Sequence, residues 1–536
     1  MRKKLFMGSL AASVLLMCGC GDENSSSQIE VNNPDINGGQ ILLYSTSGEY
    51  KGAANVGNLP DMVTFSHDGK FLVSANEGEP NSDYTVDAKG SISIIEIDAS
   101  KEEIVRDVTT LTFDDVTIPS DVRIKPDSNA SVDLEPEYVA ITEDDKTAFV
   151  SLQENNAMAY VDLETKTITA VKSLGRKDLS LTQVDIVDDE APSLAAAPSG
   201  VYALYQPDTI VSYAVNGQNY VITANEGDDR EYDAYEDYVK AKSLTLDTKF
   251  NGTAIDGGDS KSLRVFEDLG KNASGIYEEL YMAGTRSFSI WDAEGNQVFD
   301  SGSEFETEIA TNYPAYFNTR VDDAAFEVGD DLDPAKTVIG NTTYFWDAVD
   351  ARSLKKGVEP EALSIAKIGS SVYAYIGLEK QGGFFVYDIT DPVNTSVVEY
   401  KNDIDYTAAP SAAGDLAPEG MVTFAQDNKN YLAIANELSS TVAIYELAAD
   451  GKATKLDSLN VGSFDKGAAE ILSYDAAGKA LYTTNAENQT IDIIDVSTPA
   501  NLVKSGSIDF SAYADNLQSV SVKNGLVAIA VKRKEN

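Results

Sequence analysis

Six stretches of this chain follow one plan, and a chain that repeats a three-strand unit has few folds open to it. Each stretch opens on Pro or Ala and an acid, runs a short alternating strand and turns at Asp, Gly or Asn. A second strand then ends in Asn-Glu or a close variant, and a third, apolar strand follows. The copies are Pro60-Asp61 with Asn76-Glu77, Pro136-Glu137 with Gln153-Glu154, Pro207-Asp208 with Asn225-Glu226, Pro360-Glu361 with Leu378-Glu379, Pro418-Glu419 with Asn436-Glu437, and Ala469-Glu470 with Asn485. The third is completed far downstream by Phe288 to Asp292. A seventh is divided. Gln518 to Lys523 and Leu526 to Val531 supply two inner strands, and Gln40 to Tyr44 offers an outer one from the other end of the chain.

Short alternating strands bounded by turn residues argue an all-β fold, and a repeat of about 50 residues suits propeller blades. Joining both chain ends in one blade removes the exposed edges of an open array. The expected fold is a single all-β domain over residues 38–536, a seven-bladed β-propeller whose N- and C-terminal strands share one blade. Loop insertions are expected at about 228–280 and 295–357. Two stacked β-sandwiches would use similar strands but would not explain the divided seventh copy.

The N-terminus reads as an export signal. Arg2, Lys3 and Lys4 precede a short apolar run from Leu5 to Met17, too short for a stable span. Cys18-Gly19-Cys20 and a polar stretch follow, which resembles a lipobox with Cys20 as the acylated residue. A plain secretion signal is the alternative. Residues 1–19 are then a lipoprotein signal peptide and 20–37 a tether, and the chain is expected in the bacterial cell envelope, bound to the membrane through its N-terminal lipid. The rest of the chain holds no Cys and one histidine, His67, in a hairpin turn. That excludes disulfides, thiol nucleophiles and metal motifs built on paired His. A net charge of −46 repels nucleic acid and attracts cations. Oligomeric state is not written in the pattern.

In each unit the inner strand starts at the face where the second strand ends, because neighbours run antiparallel. Asp61, Glu137, Asp208, Glu361, Glu419 and Glu470 should therefore ring one mouth, with Ser519 in the seventh place. Glu77, Glu154, Glu226, Glu379 and Glu437 should form a second tier. So many carboxylates need cations or basic side chains nearby. An irregular set of hard oxygen ligands favours calcium over magnesium. The bland alternative is that these acids accept hydrogen bonds from a neighbouring blade's backbone. Arg230, Arg286, Arg352 and Lys356 fall in loops of the same face, where they could grip an anionic or phosphorylated ligand or merely neutralise the acids. Tyrosines between Tyr232 and Tyr238 alternate with acids and suggest a helical or coiled flap. The run Asp330-Asp331-Leu332-Asp333 lacks EF-hand spacing.

Several of these motifs together resemble the choice-of-anchor I family. They are Pro60-Asp61-Met62-Val63-Thr64-Phe65, Ala75-Asn76-Glu77-Gly78-Glu79-Pro80, Leu152-Gln153-Glu154-Asn155-Asn156, Asn225-Glu226-Gly227-Asp228, Arg286-Ser287-Phe288-Ser289-Ile290-Trp291, Lys356-Gly357-Val358-Glu359-Pro360-Glu361 and Gly377-Leu378-Glu379. That family is similar to mesenchyme-specific cell-surface glycoproteins, and some of its bacterial members carry an alkaline-phosphatase label. The segment resembling the family's usual opening, Gly467 to Ile471, comes sixth here, so the resemblance implies a circular permutation, which a closed ring tolerates.

Three functions stay open on these residues. One is an envelope protein whose acidic funnel binds a divalent cation, calcium first, and an anionic ligand. Another is a metal-dependent phosphoester hydrolase in which Glu137 or Glu226 takes a proton from metal-bound water. The third is an inert structural surface protein.

Overall fold

The computed structural model describes residues 38–189, 191–256, 262–319, 337–339, 342–344, 349–406, 408 and 410–533. Cys20, the signal peptide over 1–19, the tether over 20–37 and the run Asp330 to Asp333 lie outside the described residues. Seven antiparallel sheets of four strands each are present among them. Their innermost strands are Pro60–Phe65, Pro136–Ile141, Ile210–Val215, Pro360–Ile368, Pro418–Gln426, Leu472–Asp475 and Ala514–Lys523. The architecture is all-β and propeller-like.

The chain ends meet in the seventh sheet. Leu526–Arg533 pairs on one side with Ala514–Lys523 and on the other with Gln40–Ser45, in the register Gln40↔Val531 to Ser45↔Leu526. Tyr50–Asn55 completes the sheet outside Gln40–Ser45.

Side chains that alternate across each strand bury one set toward each neighbouring sheet. Ala528 and Ala530 pack with Ile41, Val63, Leu72 and Ile95 of the first sheet's seam, whereas Val527 and Ile529 pack with Tyr482 and Ile491 of the sixth. The same seams recur between the other consecutive sheets, with Val73 and Ile94 against Val150, Phe149 against Val221, Ile222 against Ile376, Tyr375 against Leu432, and Ala433 against Leu481.

Four inner strands begin on a bulge. Pro60 pairs with Asn76 and Met62 with Ala75, which leaves Asp61 unmatched in the ladder. Register also shifts between Pro136 and Val139, between Pro360 and Leu363, and between Pro418 and Gly420. Proline lacks the N–H a central ladder needs, so it sits at the first position, and the bulge beside it re-aims the following acid.

The insertions form a satellite with its own core. Leu179, Val184, Val201, Ala241, Phe250, Val265, Leu280 and Met282 pack together, and Val201–Leu204 pairs in parallel with Leu280–Met282. This unit draws on residues 176–204, ahead of the insertion expected at 228–280. The chain also leaves the third sheet later than 295, because Gln297–Asp300 is that sheet's outer strand.

Leu43 is fully buried where the first and seventh sheets meet. Leu43→Ala should lower unfolding free energy by about 2–5 kcal/mol, measured by urea denaturation. Amide exchange should rise together in Gln40–Ser45 and Leu526–Arg533.

Candidate functional site

The acids at the start of the inner strands converge. Glu137, Asp208, Glu361 and Glu419 each feel the charge of other acids of the ring or of the tier beside it, and Asp61 feels that of Glu79. Glu137 lies within reach of Asp208 and Asp61, Glu361 of Glu419 and Asp208, and Glu419 of Asp208 and Glu470. Glu77, Glu154, Glu226, Glu379 and Glu437 stand beside them as neighbours in the same field. One mouth therefore gathers acids from six sheets. Gln518 stands at the seventh position and donates to Asp61 Oδ1 at 3.3 Å.

Serine hydroxyls accept backbone N–H groups across from one sheet to the next: Val63 N donates to Ser519 Oγ at 3.3 Å, Thr423 N to Ser364 Oγ at 3.1 Å and Val522 N to Ser473 Oγ at 2.9 Å. Glu137 and Glu361 are 7% and 8% exposed, and Oε2 of each makes no hydrogen bond within the protein. A buried carboxylate oxygen without a donor is costly unless protonated or met by a cation.

Lysines neutralise two acids of the second tier, Glu226 and Glu379. Lys356 Nζ lies 2.8 Å from Glu226 Oε1, 2.6 Å from the Gly227 carbonyl, 3.5 Å from Asp228 Oδ1 and 3.7 Å from Glu359 Oε2. Burial works against its charge, yet Glu226, Asp228 and Asp229 outweigh burial and raise its pKa. Lys380 pairs with Glu379 and Arg352 with Glu359. Arg230 is shared between Asp133 at 3.3 Å, Glu135 at 3.6 Å and Asp237 at 3.8 Å. Arg286 is engaged away from the acids of the mouth: its guanidinium bonds Glu306 at 2.8 Å, the Ser353 carbonyl at 2.6 Å and the Lys355 carbonyl at 3.1 Å. No ion pair among the described residues joins Asp61, Glu137, Asp208, Glu361 or Glu419 to a basic group.

The consequence is a set of raised pKa values. Burial, partly opposed by the Gln518 bond, pushes Asp61 up to about 6. Burial pushes Glu154 up to about 7 against the pull of Arg230. Burial followed by neighbouring carboxylates raises Glu77, Glu137, Asp208, Glu361 and Glu419 well above the usual range.

Three overlapping groups bring one ligand atom from each member within 4.8 Å of the others: Asp208 with Glu226 and Glu361, Glu226 with Glu359 and Glu379, and Glu361 with Glu379 and Glu419. These buried acidic groups could hold a metal ion, and all oxygens in them are hard donors. Gln153 crosses from the second sheet and donates to Glu226 Oε2 at 3.0 Å.

A model of the choice-of-anchor I domain matches residues 20–392. The chain belongs to the choice-of-anchor I family. The copies at Pro418-Glu419 and Ala469-Glu470 lie beyond the matched span. Gigasin-3a from Magallana gigas is 29% identical over 153 residues, which is 28% of this chain and 46% of that protein. The match therefore spans about half the length of that relative. Among solved structures, the periplasmic gluconolactonase of Pseudomonas aeruginosa is 11% identical, with 88% of this chain and 96% of that one covered and a TM-score of 0.45. The β-propeller domain of Cps50 from Myceliophteria thermophila is 9% identical, with 88% and 96% covered and a TM-score of 0.39. Among the described residues of this choice-of-anchor I chain, no helix is long and apolar enough to cross a membrane.

Sequence reasoning missed several members of the site. Glu135 and Glu359 precede the prolines of the second and fourth copies, and the repeated triplet Glu-Pro-Glu at 135–137 and 359–361 was a signal for both. Glu79 follows Glu77 by two residues. Arg123, buried against Asp237 and Asp268, carried no pattern. The tyrosine flap is a hairpin, Glu231-Tyr232 paired with Tyr235-Glu236, rather than helical or coiled. Four residues of alternating polarity close a two-stranded turn more readily than they nucleate a helix.

A carboxyl whose folded pKa is raised holds a proton that the unfolded chain has released. Its contribution to stability is full below the unfolded value and is lost as pH rises through the folded one. For Asp61 and Glu154 that window runs from near their ordinary values of 3.8 and 4.5 up to about 6 and about 7. Chelator-treated protein should therefore melt at a higher temperature at pH 5 than at pH 8. Glu137→Gln should raise the melting temperature at pH 8 and change it little at pH 5, as read by calorimetry.

Proposed function

We propose that this choice-of-anchor I chain is an exported, seven-bladed β-propeller, carried by lipid on Cys20, whose acidic mouth binds a divalent cation, calcium before magnesium. Residues 1–19 are its signal peptide, 20–37 its tether and 38–536 its propeller. The observation that carries the cation reading is that Asp61, Glu137, Asp208, Glu361 and Glu419 make no ion pair with a basic group among the described residues, although Glu226 and Glu379 beside them do. A cation on the side of Asp208, Glu226, Glu361, Glu379 and Glu419 would meet the unbonded Oε2 of Glu361. Calcium accepts six to eight oxygens at ~2.3–2.6 Å in irregular arrangements, whereas magnesium demands a near-ideal octahedron. Family membership supports placement at the cell surface.

Binding is favoured over hydrolysis by the state of the basic side chains. A phosphoester hydrolase needs cationic groups free to grip the phosphate. Lys356 is held by Glu226 and the Gly227 carbonyl, and Arg286 by Glu306 and backbone carbonyls. An anionic ligand would be drawn by the bound cation itself.

Calorimetric titration of metal-free protein with calcium should give saturable binding. Glu361→Gln combined with Glu419→Gln should weaken it at least about tenfold, since two ligands of ~six to eight are lost. Absence of binding at millimolar calcium removes the proposal.

A further inference from the structure

The acids around the mouth fall into two sides that are neutralised differently. On the side of the third and fourth sheets, Glu226 and Glu379 are met by ammonium groups of this chain, Lys356 and Lys380. On the side of the first and second sheets stand Glu77, Glu79, Glu135 and Glu154, which feel one another's charge. No lysine ion pair among the described residues reaches them; of the basic groups nearby, Arg230 is divided among three acids and Lys125 lies over the Tyr84 and Tyr235 rings. Oε2 of Glu154 makes no hydrogen bond although the residue is 7% exposed, and Oε2 of Glu135, 2% exposed, has only the Arg230 guanidinium at 3.6 Å.

A tyrosine roof covers this side. Tyr232 donates its hydroxyl to Glu79 Oε1 at 3.3 Å. The Tyr84 ring packs edge-on against Tyr232 and Tyr235, at 5.1 and 5.8 Å between centroids. The loop bearing Tyr84 is latched to the hairpin bearing Tyr232, where Ser82 Oγ donates to Asp233 Oδ2 at 2.6 Å and Ala234 N to the Ser82 carbonyl at 3.2 Å. Ser82, Asp233 and Ala234 are exposed, so the latch can open without disturbing a sheet.

Two observations decide the chemistry of a ligand here. None of the three groups whose ligand atoms converge within 4.8 Å contains Glu77, Glu79, Glu135 or Glu154. A bare metal ion needs such convergence. A hydrogen-bonding cation does not, because its N–H groups reach acceptors about 2.8 Å away in several directions. The protein's own lysines also show both halves of the recognition. Lys356 lies in a carboxylate and carbonyl cradle, and Lys125 Nζ sits over the Tyr84 and Tyr235 rings at 4.7 and 4.6 Å.

We infer that the carboxylates beside the tyrosine roof bind a primary ammonium group from outside the chain, carried by a linear polyamine or an exposed lysine side chain. Glu79, Glu135 and Glu154 accept its N–H groups, and the faces of Tyr232 and Tyr84 cover the methylenes next to the charge. This site is separate from the calcium position and does not depend on it.

The test is calorimetric titration of the full chain, saturated with calcium, with pentane-1,5-diamine and separately with N-acetyl-lysine amide. Saturable binding of either supports the inference, and the stronger of the two identifies the source of the ammonium. Glu79→Gln and Tyr232→Ala should each weaken that binding about tenfold, the loss of one charge-assisted hydrogen bond or one aromatic contact. Glu79→Gln should leave calcium binding unchanged, which keeps the two sites distinguishable. No saturable binding of either amine at millimolar concentration overturns the inference. So does binding unaltered by Glu79→Gln, or binding of a quaternary ammonium, which has no N–H to donate, as tightly as the diamine.

Discussion

Mutual repulsion among carboxylates governs this molecule. Six sheets each deliver an acid to one mouth, and a fold that does so must hold like charges together against their own field. It manages them in two ways. Lys356 and Lys380 neutralise Glu226 and Glu379 of the second tier, while Arg352 pairs with Glu359 and Arg230 with Asp133, Glu135 and Asp237. Raised pKa values keep protons on the inner acids that lack such partners. What neither device removes is an unbonded oxygen on Glu137 and Glu361, and a cation reading of the funnel starts from that remainder.

The scaffold can tolerate this because its cohesion lies elsewhere. Apolar seams between consecutive sheets bury Val, Ile, Leu and aromatic side chains almost completely. Serine hydroxyls, small and uncharged, take the backbone N–H groups that face across between inner strands. The bulge beside four of the inner prolines re-aims the acid that follows each of them.

Much of this was legible in the sequence. Two-residue alternation and the Pro-acid openings place the strands, because strand geometry depends on local pattern, and Asp61, Glu137, Glu361 and Glu419 stand second in four of them. The pairing of Gln40 to Tyr44 with Leu526 to Val531 followed from an incomplete seventh copy. Partners were harder to see. Arg123 and Lys356 reach Asp237, Asp268 and Glu226 through tertiary proximity that no spacing encodes. The satellite built from residues 176–204 and 241–282 repeats nothing, so its first segment was invisible as a unit. Arg286 sits beside the repeat, but its positive φ of 58° and its carbonyl partners belong to the packing of an insertion.

The seventh sheet has a mechanical side. Gln40–Ser45 is an interior strand, hydrogen-bonded along both edges to Tyr50–Asn55 and Leu526–Arg533. Tension entering from the residues before it acts along the strand axis and loads those bonds simultaneously, in shear, instead of peeling them one by one. Load arriving through the leading segment would therefore spread across both neighbours at once, and Leu526–Arg533, clasped alongside, shares the strain.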